Sequence, residues 1–118
     1  MNCIFCKIIK KEIPAEIVFE SENIIAFKDA NPIAPVHILI IPKKHIKSVT
    51  DINYEDTMLM GELIMIAKKI ADDLKISSKG YKLLIRVGKG GGQEVEHIHL
   101  HLLGGAKLSE NIHPVDLR

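Results

Sequence analysis

The 118-residue chain has no tryptophan, and its only aromatic residues are three phenylalanines and two tyrosines. Proteins that bind single-stranded nucleic acid stack bases on aromatic rings, so this composition disfavours that class. Neither sign of charge dominates, because 16 Lys and Arg are balanced by 15 Asp and Glu, for a net charge of +1. A charge so evenly balanced does not hold many phosphates of a polymer, and we expect no polymeric nucleic acid as partner.

The sequence has no long hydrophobic run. Its longest uninterrupted apolar stretch is 63–67, whereas a membrane-spanning helix needs roughly 18 apolar residues. We therefore expect no membrane partner. Near the N terminus, Lys7, Lys10 and Lys11 interrupt the apolar stretch that a secretion signal requires, which favours the cytoplasm. Since linkers and internal repeats are also lacking, we predict a single domain over 1–118.

Cysteine is scarce, and both cysteines lie close together. Cys3 and Cys6 are separated by two residues. A reducing cytoplasm disfavours a structural disulfide between them. Metal ligation and plain reduced thiols are therefore the two interpretations that the spacing leaves open.

Apolar periodicity predicts one short helix over 4–11 and one long helix that begins near the N-cap Asn53. The long helix carries a single apolar stripe at intervals of three and four residues, formed by Leu59, Leu63, Ile66, Ile70 and Leu74. Alternating apolar segments predict five strands, at 16–20, 24–29, 37–42, 80–87 and 96–103. Because most strands follow one another directly, we expect an antiparallel sheet covered by helices, an α+β domain.

The last predicted strand carries three histidines at alternate positions, His97, His99 and His101. A strand sends alternate side chains to opposite faces, so the three imidazoles are predicted on one face. The intervening Ile98, Leu100 and Leu102 are predicted to lie under the long helix. Three histidines aligned in this way are difficult to bury without a charge or ligand, which favours a phosphate site.

A glycine-rich segment, 88–93, leads into the histidine strand. Glycines permit left-handed turns that aim successive backbone amides at one point, which makes an anion-binding nest. When such a segment stands alone, a flexible hairpin loop is the better explanation. Its position beside three histidines favours the anion site.

The sequence resembles the histidine triad family, in its nucleotide-binding branch. The resemblance rests on His97–Leu103, which alternates histidine with apolar residues, and on the segments 27–29, 34–45, 91–93 and 104–105. It covers about 3–105, leaving 106–118 as a tail. It implies a five-stranded antiparallel sheet with one long and one short helix, continued across a homodimer.

The resemblance also implies an activity and the residues that perform it. It implies a hydrolase that cleaves the P–N bond of purine nucleoside 5′-phosphoramidates through a covalent nucleotidyl group on His99. His101 would contact the phosphate and His37 would support proton movement. From the chemistry of imidazole, His99 must be neutral, with one nitrogen free and the other donating to an acceptor such as a backbone carbonyl of the same strand.

Further residues are implied for nucleotide binding. Asp29 would accept the ribose hydroxyls, and no organic cofactor is expected. Arg86 and Glu94 depart from the Asn and Ser frequent in relatives, and we expect them to form an ion pair. The full implied binding set is Asp29, Ala30, Arg86, Gly92, Gln93, Glu94, Phe5, Ile8 and Phe27.

A structural zinc ion is predicted beside this site. Cys3 and Cys6 have the spacing of half a tetrahedral zinc site. The resemblance implies that His45 and His97 complete it, leaving His99 and His101 for chemistry.

Two other functions remain open from the sequence. A zinc-dependent hydrolase would use His97, His99 and His101 as metal ligands around an activated water. A non-catalytic sensor or scaffold would bind AMP without turnover. The physiological substrate, the base preference and any role of His113 are left open.

Overall fold

The structure, a computed structural model, describes residues 2–115. The predicted domain 1–118 and its tail therefore include Met1 and 116–118, which lie outside the described residues. The regular elements are two helices and five strands: α1 (Ile4–Ile9), β1 (Ile17–Glu20), β2 (Ile24–Lys28), β3 (Val36–Pro42), α2 (Thr57–Asp73), β4 (Lys82–Leu84) and β5 (Leu100–Gly104). Within 2–115, no helix is both long and apolar enough to cross a membrane.

The five strands form one antiparallel sheet in the order β1-β2-β3-β5-β4. This confirms the predicted α+β class, and β1 and β2 form a hairpin. In the centre of the sheet, β5 pairs with β3 so that His101 lies opposite Leu39. On its other side, His101 lies opposite Leu84 of β4. The last histidine of the triad is therefore held between two strands.

Each face of the sheet is covered by a different helix. On one face, Leu63, Ala67 and Ile70 of α2 pack with the even-numbered apolar residues of β2, β3 and β5, among them Leu100 and Leu102. On the opposite face, α1 packs with the odd-numbered residues of β2 and β3. Because β2 and β3 are buried on both faces, their sequences are nearly continuous apolar runs. The histidines share the α1 face.

The long helix begins later than the predicted N-cap Asn53 indicates and ends before the last residue of its stripe. A 3-10 turn, Tyr54–Asp56, directly precedes it, and the Asp56 carboxylate accepts the backbone N–H of Asn53 at 3.0 Å. At the other end, Leu74 lies beyond the helix and is 45% exposed, so its predicted place in the buried stripe is wrong. Lys75 follows with a φ of 61°, and this left-handed conformation stops the helix.

Three elements are shorter than predicted. Helix α1 stops at Ile9, since Lys11 has a left-handed φ of 62°. Strand β4 keeps only the middle of the predicted segment 80–87. Strand β5 starts at Leu100 because His97 donates its N–H to Val95 O in a tight turn and Ile98 donates to Ile46 O. His97 and His99 therefore precede the strand rather than lie within it.

We expect Leu63→Ala to reduce the free energy of unfolding by about 2–5 kcal/mol, because Leu63 is 1% exposed at the contact of α2 with the sheet. Denaturant titration followed by circular dichroism measures this change. Met58→Ala on the same helix is the control, since Met58 is 80% exposed and its removal should cost less than about 0.5 kcal/mol. Equal losses for both variants would contradict the packing described.

Candidate active site

The ring of His99 is fixed by one hydrogen bond to the backbone. Its Nδ1 lies 2.7 Å from the carbonyl oxygen of His97. A carbonyl only accepts, so Nδ1 carries the hydrogen and Nε2 keeps its lone pair. The expected backbone acceptor is therefore present, although His97 lies just before β5 and not within the strand. His99 presents the free nitrogen that nucleophilic attack requires.

The surroundings of His99 keep the ring neutral. Its side chain is 6% exposed, and the ring of Phe5 meets it edge-on with centroids 5.1 Å apart. Burial lowers the pKa of His99 below its usual value, and the charge of Arg86 lowers it further, against the opposing hydrogen bond to His97. At neutral pH the imidazole is therefore uncharged.

His101 and His37 form a second pair of rings next to His99. The ring centroids of His99 and His101 are 4.9 Å apart, and His37 Nε2 lies 3.0 Å from His101 Nδ1. Burial first, then the nearby ring of His99 and the charge of Arg86, lower the pKa of His101 to about 3. Burial likewise lowers the pKa of His37. Three neutral imidazoles thus line one corner of the sheet.

Asp29 lies at the end of β2 and faces this pair. One carboxylate oxygen accepts the N–H of Asn31 at 2.8 Å, and the other lies 3.4 Å from His37 Nε2. The contact with His37 was not foreseen from the sequence, which treated Asp29 only as a ribose ligand. Ala30 follows it as an exposed residue at the start of the loop.

Arg86 contacts a histidine and not the predicted carboxylate. Its Nη1 lies 3.2 Å from His101 Nε2. Among the salt bridges of residues 2–115, none joins Arg86 to Glu94, so the predicted ion pair is wrong. The reason is the sheet itself, since β4 pairs with β5 and brings Arg86 close to His101. Glu94 remains exposed.

Backbone hydrogen bonds within the glycine-rich segment hold it in a compact turn. The amides of Gly91 and Gln93 donate to the carbonyl of Gly88, and the amide of Gly92 donates to Lys89. These amides are therefore not free to converge on an anion, contrary to the expected nest. The side chain of Gln93 is also committed to the protein: it accepts from Ser48 Oγ and the Gly88 amide and donates to the carbonyls of Lys47 and Val95.

Cys3, Cys6, His45 and His97 come together in a separate cluster, with all four ligand atoms within 4.8 Å of one another. His45 Nδ1 lies 3.3 Å from Cys6 Sγ and 3.1 Å from His97 Nδ1, and His97 Nδ1 lies 3.6 Å from Cys3 Sγ. The Nε2–H of His97 donates a hydrogen bond to the carbonyl of Pro42 at 2.8 Å. The lone pair of Nδ1 is therefore free to bind a metal. Two thiols and two imidazoles in this arrangement fit tetrahedral zinc.

The three triad histidines do not converge on a single point. His97 presents Nδ1 to the cysteines, while His99 has its Nδ1 bound to a carbonyl. Asp29, His37 and His101 do form a group with ligand atoms within 4.8 Å. However, His37 Nδ1 accepts the N–H of Ile33 at 3.1 Å, so the hydrogen of the neutral ring occupies Nε2 and blocks it as a metal ligand.

The residues expected at the base pocket are buried together. Phe5, Ile8 and Phe27 belong to the apolar cluster between α1 and the sheet, and the rings of Phe5 and Phe27 pack edge-on at 5.5 Å. Their apolar side chains therefore border the nucleophile as part of the core. A groove of about 820 Å³ between the end of α2 and the start of β4 contains none of the predicted site residues.

Two further residues support the site without any signal in the sequence. Ile33 acts through its backbone N–H on His37, and Ser48 anchors Gln93. A backbone donor has no residue preference, and a single serine outside a motif is not distinctive. Only the three-dimensional arrangement identifies either one.

Comparison with known proteins places this arrangement in a family. A family model described as the HIT domain matches residues 10–108. The chain is 48% identical over 105 residues to a purine nucleoside phosphoramidase of Escherichia coli strain K12, covering 89% of this chain and 88% of that protein.

Solved structures agree with the sequence comparison. A HIT family hydrolase from Legionella pneumophila superimposes with a TM-score of 0.90 at 54% identity, covering 92% of this chain and 96% of that one. A histidine triad protein from Clostridium difficile superimposes with a TM-score of 0.91 at 41% identity, covering 95% and 97%. The chain therefore belongs to the HIT family.

Proposed function

We propose that this protein is a hydrolase of purine nucleoside 5′-phosphoramidates that works through a covalent nucleotidyl-His99. The observation that carries the proposal is the 2.7 Å hydrogen bond from His99 Nδ1–H to the His97 carbonyl, which leaves Nε2 free to attack phosphorus. The name of the Escherichia coli relative, purine nucleoside phosphoramidase, supports the substrate class.

The first step forms a bond between His99 Nε2 and the α-phosphorus and breaks the bond from phosphorus to the leaving nitrogen. The leaving amine needs a proton, because an amide anion is a poor leaving group. His101 lies beside the nucleophile, and His37 contacts His101, so these two rings are placed to relay a proton from solvent to the amine and to stay neutral themselves. N–H donors of His101 and Arg86 stabilise the charge on the phosphate oxygens.

The second step returns the enzyme to its starting state. Water attacks the phosphorus, the bond from phosphorus to His99 Nε2 breaks, and a nucleoside monophosphate leaves. The proton that water loses passes to solvent and balances the proton that the leaving amine took in the first step. The hydrogen bond to the His97 carbonyl matters here too, because it keeps the departing imidazole in the same tautomer and orientation. His99 is then ready for another substrate.

The nucleoside is bound by the residues around this corner of the sheet. Asp29 has carboxylate oxygens suited to accept two ribose hydroxyls, and Ala30 and Gly92 leave room beside the sugar and phosphate. The buried side chains of Phe5, Ile8 and Phe27 back the side of the site that we assign to the purine base. Gln93 contributes by holding the glycine-rich segment in place, and we assign Glu94 to the side of the leaving group.

Incubation with adenosine 5′-phosphoramidate should place a nucleotidyl group on His99. We expect His99→Ala to lose that adduct and to lower turnover by about a thousandfold or more, because the nucleophile is removed. Rapid quenching followed by mass spectrometry of peptides locates the adduct.

His113→Ala is the matched control, since it removes an exposed imidazole of the tail. It should retain both the adduct and the turnover rate. An adduct on another residue would contradict the proposal. Tight AMP binding by a wild-type protein that turns over no phosphoramidate would instead favour the sensor function.

We further propose that Cys3, Cys6, His45 and His97 bind one structural zinc ion. The donor set, its closeness and the Nε2–H···O=C bond of His97 support this site. The ion would join α1 to the segment before β5 and would supply no step of the reaction. Reduced thiols are required for such a site, and the cytoplasm is accordingly the compartment we propose.

Metal analysis of protein purified without chelator should give about one zinc per chain. Cys6→Ser should lower this content and reduce the thermal midpoint by at least about 5 °C, because a metal ligand that closes the fold is lost. His113→Ala is the control and should keep its zinc. Well under one zinc per chain in the wild-type protein would refute the site.

We also propose a homodimer formed on the β4 side of the sheet. Strand β4 ends the sheet, so one of its edges is unpaired, and α2 exposes Ile64 (54%) and Met65 (62%). Unpaired edges and exposed apolar side chains are the features that a partner copy covers.

Light scattering should therefore give twice the chain mass for the wild-type protein. Met65→Glu should shift the protein toward monomer, because a buried carboxylate without a partner is costly. Tyr54→Glu, which changes a 99% exposed side chain outside α2, should remain dimeric. A monomeric wild-type protein at micromolar concentration would contradict this assembly.

A further inference from the structure

Neutral His101 can accept one hydrogen bond through its ring, and N–H groups of two neighbouring residues compete for it. Ile33 N–H donates to His37 Nδ1, so the hydrogen of neutral His37 is on Nε2, which lies 3.0 Å from His101 Nδ1. On the other side, Arg86 Nη1 lies 3.2 Å from His101 Nε2. A guanidinium has only donors, and a neutral imidazole has a single acceptor nitrogen. Only one of the two contacts can be a hydrogen bond at a time.

The competing donor of His37 has a second acceptor within reach. Asp29 Oδ2 lies 3.4 Å from His37 Nε2, and the ligand atoms of Asp29, His37 and His101 all lie within 4.8 Å of one another. A carboxylate accepts several hydrogen bonds at once. In the free protein, Asp29 can therefore take the N–H of His37, while Arg86 occupies Nε2 of His101.

The side chain of Arg86 lies beside the glycine-rich segment. At Gly92, an added Cβ would lie only 3.3 Å from Arg86 Cδ. The amides of Gly91, Gly92 and Gln93 already donate to carbonyls of this segment. Arg86 Nη1, 3.2 Å from His101 Nε2, is a charged donor within reach of an anionic oxygen beside His101.

We propose that Arg86 is a positioning residue that sets the tautomer of His101 and releases it when the substrate phosphate binds. In the free protein, Arg86 donates to His101 Nε2, and the ring hydrogen is on Nδ1. A phosphate oxygen then takes the Arg86 N–H. His101 Nδ1 becomes the acceptor for His37 Nε2–H, and the ring hydrogen moves to Nε2 by exchange with solvent, with no net change in protons.

His101 therefore has an N–H at Nε2 only when the substrate phosphate is bound. With its hydrogen on Nε2, His101 can donate to the phosphate or to the leaving amine. This inference rests on the proposed phosphoramidase function, because that function supplies the phosphate. The tautomer of the free protein, however, does not depend on any substrate.

Nitrogen NMR of protein labelled with ¹⁵N in the histidine rings tests the proposal. We expect free wild-type protein to carry the His101 hydrogen on Nδ1, and addition of AMP to move it to Nε2. Arg86→Met should carry it on Nε2 without AMP and should show no change when AMP is added. Lys79→Met, which removes an equal charge from an exposed turn, should behave as wild type.

Kinetics give an independent readout. Arg86→Met should lower kcat/KM for adenosine 5′-phosphoramidate by about tenfold to a hundredfold, because a charged donor to the phosphate is lost. Arg86→Lys should recover part of this loss, since it restores the charge without the planar fork. The adduct on His99 should still form in both variants.

The same His101 tautomer in free wild-type protein and in free Arg86→Met would overturn the proposal. So would a hydrogen on Nε2 in the free wild-type protein. An unchanged wild-type tautomer at saturating AMP would overturn the release step. Failure of the phosphoramidase function has a different signature, in which the two free proteins differ in tautomer and AMP moves the wild-type hydrogen, but adenosine 5′-phosphoramidate gives neither turnover nor an adduct on His99.

Discussion

The hydrogen bond from His99 to the carbonyl of His97 is the interaction on which the whole site depends. At 2.7 Å it fixes both the tautomer and the orientation of the ring. Burial against Phe5 keeps the ring uncharged by lowering the pKa of His99. Without this one backbone acceptor, the hydrogen could move to Nε2, and the ring would present a donor to phosphorus instead of a lone pair.

His97 connects this nucleophile to the rest of the fold. Its carbonyl holds His99, its Nε2–H donates to Pro42 at the end of β3, and its Nδ1 faces Cys3 and Cys6 from the N-terminal helix. One residue therefore joins the centre of the sheet, the cysteine pair and the reacting ring. The proposed zinc site would act on catalysis only by holding this backbone in position, which is the usual way in which distant ligands orient a reacting group.

The sequence predicted what depends on residue type and spacing. Alternation placed the three histidines on one face, and the spacing of Cys3 and Cys6 indicated half of the cluster, to which the family resemblance added His45 and His97. What the sequence missed depends on individual hydrogen bonds. The strand was predicted too long because the donation from Ile98 to Ile46 O joins distant backbone groups and is invisible in a local pattern. Glycine composition does not reveal that the amides of the glycine-rich segment donate to its own carbonyls, and the contact of Arg86 with His101 depends on how two side chains meet in the folded sheet.

The central claim is that phosphorus is displaced twice, first by His99 and then by water. The stereochemistry of hydrolysis at phosphorus measures this directly, with an adenosine phosphorothioamidate of known configuration and isotopically labelled water. Each in-line displacement inverts the configuration, so two displacements predict overall retention. Overall inversion would show that water attacks the substrate in a single step, and it would contradict the role assigned to His99.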